Sequence, residues 1–390
     1  MTDARTLLRD HRPLLRYDKQ EVYFADSARI WTDGPQQVLR TDDGTLLAAA
    51  APSDGQAQLS LDFLRAGRYR SGAEAAAKDR LGCATKDYAQ QARQLHMNPD
   101  YKNRVYGRST VGSDGRVWLQ YWFFYFYNDY NLLGRLFPAG LHEGDWELVQ
   151  LRLDEAHETP ECAVYAAHKH ASVRTWSDVE RVGQRPVVYT ARGSHASYFK
   201  PGRHWTGIWF DHADGKGFSP EMTLELIEED ADAFRWVHWP GFWGDTRPTG
   251  WPADAFSPGG LAPRKAWKDP VTLLLTAKDH DKFLADDRAP APALPAAPEL
   301  TLVREGDALK ISYSSPGWSG AAEPARLVVT LNSPDDPLPP APERIAIRSP
   351  TGTVELPGVL DRDHRYDVTV SVADADGLAS ASTREELPKG

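Results

Sequence analysis

At 390 residues, with 41% hydrophobic side chains including 13 Trp, 15 Tyr and 13 Phe, the chain is long enough for two domains and can bury a large core. A formal charge of −10, with no run of five basic residues, disfavours nucleic acid and anionic membranes as partners. Two cysteines, Cys83 and Cys162, make neither a disulfide framework nor a structural zinc site. With no signal peptide of the usual kind and no apolar run of about 18 to 20 residues, the expectation is a soluble cytoplasmic protein.

Residues 72–96 are rich in Ala, Gln, Lys and Arg, with Ala75, Leu81, Tyr88 and Leu95 near a seven-residue spacing, which predicts a helix. The strongest strand is Val117 to Tyr127, apolar on both faces and therefore central to a core. Asp129 closes it and the segment from His142 opens the next, so a hairpin brings Asp129 and Asp145 to one end. A further strand pair is expected over Ala163 to His170 and Pro186 to Ala191, and a second helix over Glu221 to Phe234. The Ala/Pro stretch at 286–298 reads as a semi-stiff linker. Beyond it, short alternating runs at 300–303, 309–313, 327–331, 345–347 and 366–372 predict a small β-sandwich. The expected organisation is a mainly β fold: a sandwich-like core with helical insertions over 1–285, the linker, and an all-β sandwich over 299–390.

The stretch His142-Glu143-Gly144-Asp145-Trp146-Glu147 carries the sharpest chemistry. On a strand, Asp145 and Glu147 project from one face and Trp146 and Leu148 from the other. His142 can fold back toward the same carboxylates, and Asp129 is a further acidic candidate from the hairpin. Oxygen donors with one imidazole suit calcium, magnesium or manganese. The same residues also fit a salt-bridged structural cluster, with Arg116, Arg135 and Arg152 as partners, or plain acid–base chemistry.

His168 and His170 alternate along one segment and, with His195, have the composition of a three-histidine zinc site, or of separate histidines beside the first site. In Gly193-Ser194-His195-Ala196-Ser197-Tyr198, Ser194 and His195 are adjacent and point apart on an extended chain, so they do not form a nucleophile–base pair. A turn in which Gly193 takes a positive φ and the hydroxyls bond backbone is expected instead. Trp236, Trp239, Trp243, Trp251 and Trp267 stand among Gly and Pro, where burial would clamp an irregular segment onto the sheet and exposure would offer rings to sugars or a bilayer interface.

The chain resembles the vacuolar protein sorting-associated protein 62-like family over about residues 10–275. The resemblance rests on four boxes in order: Arg12 to Asp18 with Glu21 to Ser27, the aromatic strand Leu119 to Phe124, His142 to Glu147, and Gly193 to Tyr198. The His142 box is also similar to that of the necrosis- and ethylene-inducing peptide-like toxins, β-sandwich proteins that hold a divalent cation and act on plant membrane glycolipids. That similarity implies ligand positions at His142, Asp145 and Glu147, with Asp129 as the fourth candidate at a longer spacing. Leu356 to Leu360 through Tyr366, Val368, Val370 and Val372 resembles the end of a fibronectin type III domain, in which a leucine and a tyrosine form a corner before the penultimate strand.

The leading expectation is a divalent-metal-containing binding module for a carbohydrate, glycolipid headgroup or protein partner. A metal-dependent hydrolase on the same cluster, with His142 or His195 moving protons, and a metal-free structural scaffold stand as alternatives.

Overall fold

The computed structural model describes residues 4–66, 77–130, 140–206, 210–227, 232–245, 257–284, 298–315, 324–332, 343–374 and 383–390. The chain divides into two compact units. One comprises Met1–Arg65, Ala77–Glu229 and Trp236–Arg288, and the other Ala66–Ala76, Asp230–Arg235 and Ala289–Gly390. The described residues are mostly β, in several open sheets with few helices.

The first unit is built on two long strands, β7 (Val117–Asn128) and β8 (His142–Leu153), paired antiparallel from Trp118↔Arg152 to Asn128↔His142. They lie at the centre of a six-stranded sheet. β9 (Pro160–Ala167) and β10 (His170–Thr175) flank them on one side, and β6 (Arg104–Val111) and β16 (Thr223–Leu226) on the other. Side-chain alternation sends Tyr121, Phe123, Tyr125, Val149, Leu151 and Tyr165 to one face, where they pack on Leu15, Tyr17 and Val188. Those partners belong to a second sheet. In it β12 (Arg185–Thr190) runs parallel to β1 (Leu14–Tyr17) and antiparallel to β11 (Arg181–Val182) and β13 (Ser197–Tyr198). This pair of facing sheets is the sandwich-like core that the sequence predicts.

The other face of β7–β8 carries Trp118, Trp122, Phe124 and Trp146. The rings of Trp146 and Trp243 meet edge to face at 5.5 Å, Trp236 stacks at 6.2 Å from Trp146, and Trp122 lies 5.7 Å from Trp267. Trp236, Trp239, Trp243 and Trp267 are all buried, so the Trp-rich segment clamps onto the sheet; Trp251 lies outside the described residues. Between the rings, Gln120 donates to Gln150 at 3.0 Å, and each donates to a carbonyl of the covering segment, Ala266 and Pro270, at 2.7 Å. A further sheet, ordered β17 (Phe242–Trp243), β5 (Arg80–Cys83), β2 (Gln37–Arg40), β3 (Leu46–Ala49) and β4 (Ala57–Gln58), adjoins the Trp layer.

Three sequence expectations change. The helix expected over 72–96 is confined to Tyr88–His96 in its later part, because Arg80–Cys83 pairs with β2 as a strand; residues 67–76 lie outside the described residues. The helix expected over Glu221 to Phe234 gives way to β16, parallel to β6, and a 3-10 turn at Asp232–His238; its apolar stripe serves a sheet edge. The segments at 163–170 and 186–191 do not pair with each other. β9 turns back on itself through His168 and Lys169 into β10, while β12 crosses to the facing sheet. The linker at 286–298 falls almost wholly outside the described residues.

In the second unit, β18 (Glu299–Glu305), β19 (Ala308–Ser314) and β22 (Thr351–Leu356) form one sheet. β21 (Glu343–Ala346), β20 (Pro324–Asn332), β23 (Tyr366–Asp374) and β24 (Thr383–Leu387) form the other. Leu309, Ile311, Leu327, Val329, Val368, Val370 and Val372 make the core. β22 and β24 escape the sequence pattern because their alternation is diluted by Thr and Glu on open faces.

Gly144 fixes how the hairpin meets the Trp layer. Its φ is +55°, and a Cβ there would collide with the Trp243 carbonyl oxygen. Gly144→Ala is therefore expected to destabilise the first unit by at least about 2 kcal/mol in urea denaturation; a change below about 0.5 kcal/mol would contradict this packing.

Candidate functional site

The four sequence boxes, more than 170 residues apart at their extremes, meet between the two sheets. β8 presents Asp145 on the core face, and the turn that joins β12 to β13 brings in His195. The chain adopts that turn because Gly193 takes φ +72° where a side chain would press on the Asp129 carbonyl, and His195 itself sits at φ +55°. The loop after β1 supplies Glu21, and β7 supplies the ring of Tyr125.

His195 is fully buried and lies flat on Tyr125, with ring centroids 3.9 Å apart and planes within 2°. Its Nδ1 is 2.9 Å from Asp145 Oδ2, and its Nε2 stands 3.9 Å from Glu21 Oε1 with no hydrogen-bond partner. An ionised carboxylate only accepts, so Nδ1 carries the proton. Glu21 is tied down in turn. Its Oε1 accepts from the N–H groups of Val22 and Tyr23 at 2.8 and 2.9 Å, and its Oε2 from Gly193 at 2.7 Å. The arrangement holds the β8 strand, the β12–β13 turn and the 18–25 loop around one imidazole.

Asp145 and Glu147 share a face, as the strand period requires, but their carboxyls are driven apart. Burial pushes Asp145 up, and the His195 hydrogen bond together with the electrostatic influence of His142, His195 and Arg264 more than offsets it, holding the group below its ordinary range. Glu147 is pushed well above its ordinary range by burial and by the charges of Asp145 and Asp211, with Arg264 opposing. The two carboxyls are thus shifted in opposite directions, Glu147 upward and Asp145 downward. Glu147 has no hydrogen bond or ion pair to another described residue.

Next to this pair, Asp211 on β15 (Phe210–Ala213) accepts at Oδ2 from Tyr198 at 2.6 Å and is 2.9 Å from His168 Nε2. Its Oδ1 is buried without a partner. Burial lowers His168, but the hydrogen bond and charge of Asp211 prevail, so the imidazole is held above its ordinary range.

The remaining sequence-predicted residues separate. His142 turns its Nδ1 to the Gly144 carbonyl at 2.7 Å. Asp129 is exposed at the end of β7, and its charge reaches Tyr23. His170 is exposed at the start of β10, so His168, His170 and His195 do not assemble; a turn with His168 at φ +56° intervenes. Ser194 is buried with its hydroxyl unpartnered, contrary to the expected backbone bond. Arg152 pairs with Asp114 at 3.0 Å and Arg116 with Glu155 at 3.2 Å, both away from the acidic group, while Arg135 lies outside the described residues. Among the described residues, no three His, Cys, Asp or Glu side chains are grouped so as to hold a metal ion.

Sequence reasoning passed over Glu143, Tyr198, Asp211 and Arg264. Glu143, in the middle of the box, accepts from Tyr88 at 2.5 Å and from the Asp245 N–H at 2.8 Å, and so joins β8 to the helix Tyr88–His96 and to the segment after β17. Asp211 and Arg264 stand in no pattern that marks them; only the fold brings them near.

No family model matches the chain. It is distantly similar to two proteins of Saccharomyces cerevisiae. One is the putative vacuolar protein sorting-associated protein TDA6, 24% identical over 184 residues, covering 37% of this chain and 39% of the relative. The other is the vacuolar protein sorting-associated protein 62, 26% identical over 173 residues, covering 35% and 36%. The matched part thus spans well under half of either relative. Among solved structures, necrosis and ethylene inducing protein 2 from the causal agent of cocoa's witches' broom disease shares 13% identity, covering 71% of this chain and 92% of its own, with a TM-score of 0.33. A TM-score of that size does not establish a shared fold.

The upward shift of Glu147 bears on stability. A carboxyl raised in the folded state contributes stability below its unfolded value, about pH 4, and loses it as pH rises toward the folded value. In chelator-containing buffer, Glu147→Gln is expected to be more stable than the parent at pH 7, with the difference vanishing near pH 4. Equal stability of the two proteins across that range in urea titrations would show that the carboxyl is not raised.

Proposed function

We propose that the chain is a binding module whose ligand-facing element is the carboxyl pair of Glu147 and Asp211, set beside the structural Asp145. The observation that carries this reading is the Glu147 carboxyl, which has no hydrogen bond to a described residue and stands in the field of two other carboxylates. Such a group relaxes when a cation arrives, and oxygen donors favour calcium, magnesium or manganese. Glu147 and the unengaged Oδ1 of Asp211 would supply oxygens, and His142 would join them by leaving the Gly144 carbonyl. The cation would then organise the surrounding loops for a carbohydrate, a glycolipid headgroup or a protein partner. The yeast relatives are named for vacuolar protein sorting, a process that rests on recognition, which supports binding over turnover.

The hydrolase reading asks His195 or His142 to move protons. His195 is fully buried on Tyr125, which favours a role in holding the fold. For the scaffold reading, the ties between His195, Asp145 and Glu21 are a specific support, and we assign these three residues to that structural role within the module. The second unit is read as a fibronectin type III-like spacer or docking domain. Its three-plus-four strand pairing supports this, as does the corner in which Tyr366 accepts from the Asp361 N–H at 2.9 Å beside buried Leu360.

The test is metal content after purification without added metal or chelator, with Glu147→Gln as the control because it leaves the His195 contacts in place. About one equivalent of a divalent ion per chain, lost in the variant, is the expected result. No metal in either protein, even after soaking in calcium and manganese, would remove the cation from the account.

A further inference from the structure

The hairpin that carries Asp211 has a second face. In β14 (Gly202–Trp205) and β15, His204, Asp211 and Ala213 point inward, while Arg203, Trp205, Phe210 and His212 share the outer face, paired as Arg203↔His212 and Trp205↔Phe210. Trp205 is 62% exposed, and its ring meets Phe210 edge to face at 5.0 Å. The Arg203 guanidinium lies 4.3 Å above the Phe210 ring. Arg203 also lines an open pocket of about 400 Å³, with Lys19, Arg192 and His212 among its other walls.

The pocket also holds two carboxylates, and Asp214 stands in the field of the Lys19 and Lys216 charges. Asp18 accepts from the N–H groups of Gln20 and Asp214 at 2.9 and 3.2 Å, and Asp214 from those of Lys19 and Lys216 at 3.0 and 2.9 Å. Among the described residues, the Lys19 ammonium has no ion pair and the Arg192 guanidinium bonds only the neutral side-chain amide oxygen of Gln20. In a chain of net charge −10, three basic side chains thus outnumber two carboxylates around a cavity the size of a small ligand, with the exposed Trp205 on the adjoining strand face. Arginine and lysine around a cavity suit an oxyanion, and an exposed Trp with a neighbouring aromatic suits the face of a sugar ring.

We propose that this pocket and the outer face of the β14–β15 hairpin bind a soluble sugar phosphate, with the phosphate among Lys19, Arg192 and Arg203 and the ring against Trp205. The site is separate from the acidic group and does not depend on a cation there.

Titration calorimetry of the full chain with glucose 6-phosphate, glucose and inorganic phosphate tests it. Saturable binding of glucose 6-phosphate is expected, tighter than that of inorganic phosphate, with glucose weakest. The double variant Lys19→Gln, Arg192→Gln is expected to weaken glucose 6-phosphate at least tenfold. Trp205→Ala is expected to weaken glucose 6-phosphate while leaving inorganic phosphate unchanged. All three positions are exposed, so unaltered melting temperatures will show that the variants fold. No saturable binding of glucose 6-phosphate, or binding that neither variant changes, would overturn the proposal. Equal affinity for glucose 6-phosphate and inorganic phosphate would overturn the sugar component. Binding to phosphatidylserine vesicles in the absence of any binding to glucose 6-phosphate would assign the face to a membrane instead.

Discussion

An imidazole sealed between two β-sheets has to find its charge partners inside the protein, and His195 finds carboxylates on both sides. Asp145 meets Nδ1 at 2.9 Å, Glu21 stands 3.9 Å from Nε2, and Tyr125 covers the ring's face. Burying these groups is costly, and part of that cost is offset where Glu21 takes three backbone N–H groups. The left-handed backbone of Gly193 and His195 follows from the same demand, since only a tight turn returns the imidazole to β8.

From this contact the polar edge of the sandwich takes its chemistry. His195 stabilises the ionised form of Asp145, while burial and the charges of Asp145 and Asp211 push the neighbouring Glu147 upward. The hairpin that delivers Asp211 inward turns Arg203 and Trp205 outward, so a single pair of short strands joins an acidic interior group to a basic, aromatic surface. On the opposite face of β7–β8, the indole layer and the Gln120–Gln150 bridge fix the strands from behind.

Much of this was legible in the sequence where a regular period carried it. The double-sided apolar run at 117–127, the opposite faces of Asp145 and Trp146, and the burial of Trp236, Trp239, Trp243 and Trp267 follow from side-chain alternation and aromatic bulk. The helix expected at 72–96 survives in its later part as Tyr88–His96, and that at 221–234 gives way, because local composition is overruled where a sheet takes up the chain as a strand, inside the sheet at Arg80–Cys83 and at its edge at Thr223–Leu226. For the site, spacing named Asp145, Glu147 and His195 and set His142 and Asp129 beside them, but it left out Asp211. The reason is geometric: Gly144 reorients the start of β8, and residues joined by a chain crossover leave no mark in local spacing.

The central claim is that Asp145 and His195 act as one unit that ties β8 to the β12–β13 turn. A double-mutant cycle of Asp145→Asn and His195→Gln, read by urea denaturation, tests it most directly. The account predicts a coupling energy of about 1 to 3 kcal/mol between the two sites. Effects that add to within about 0.3 to 0.5 kcal/mol would contradict it.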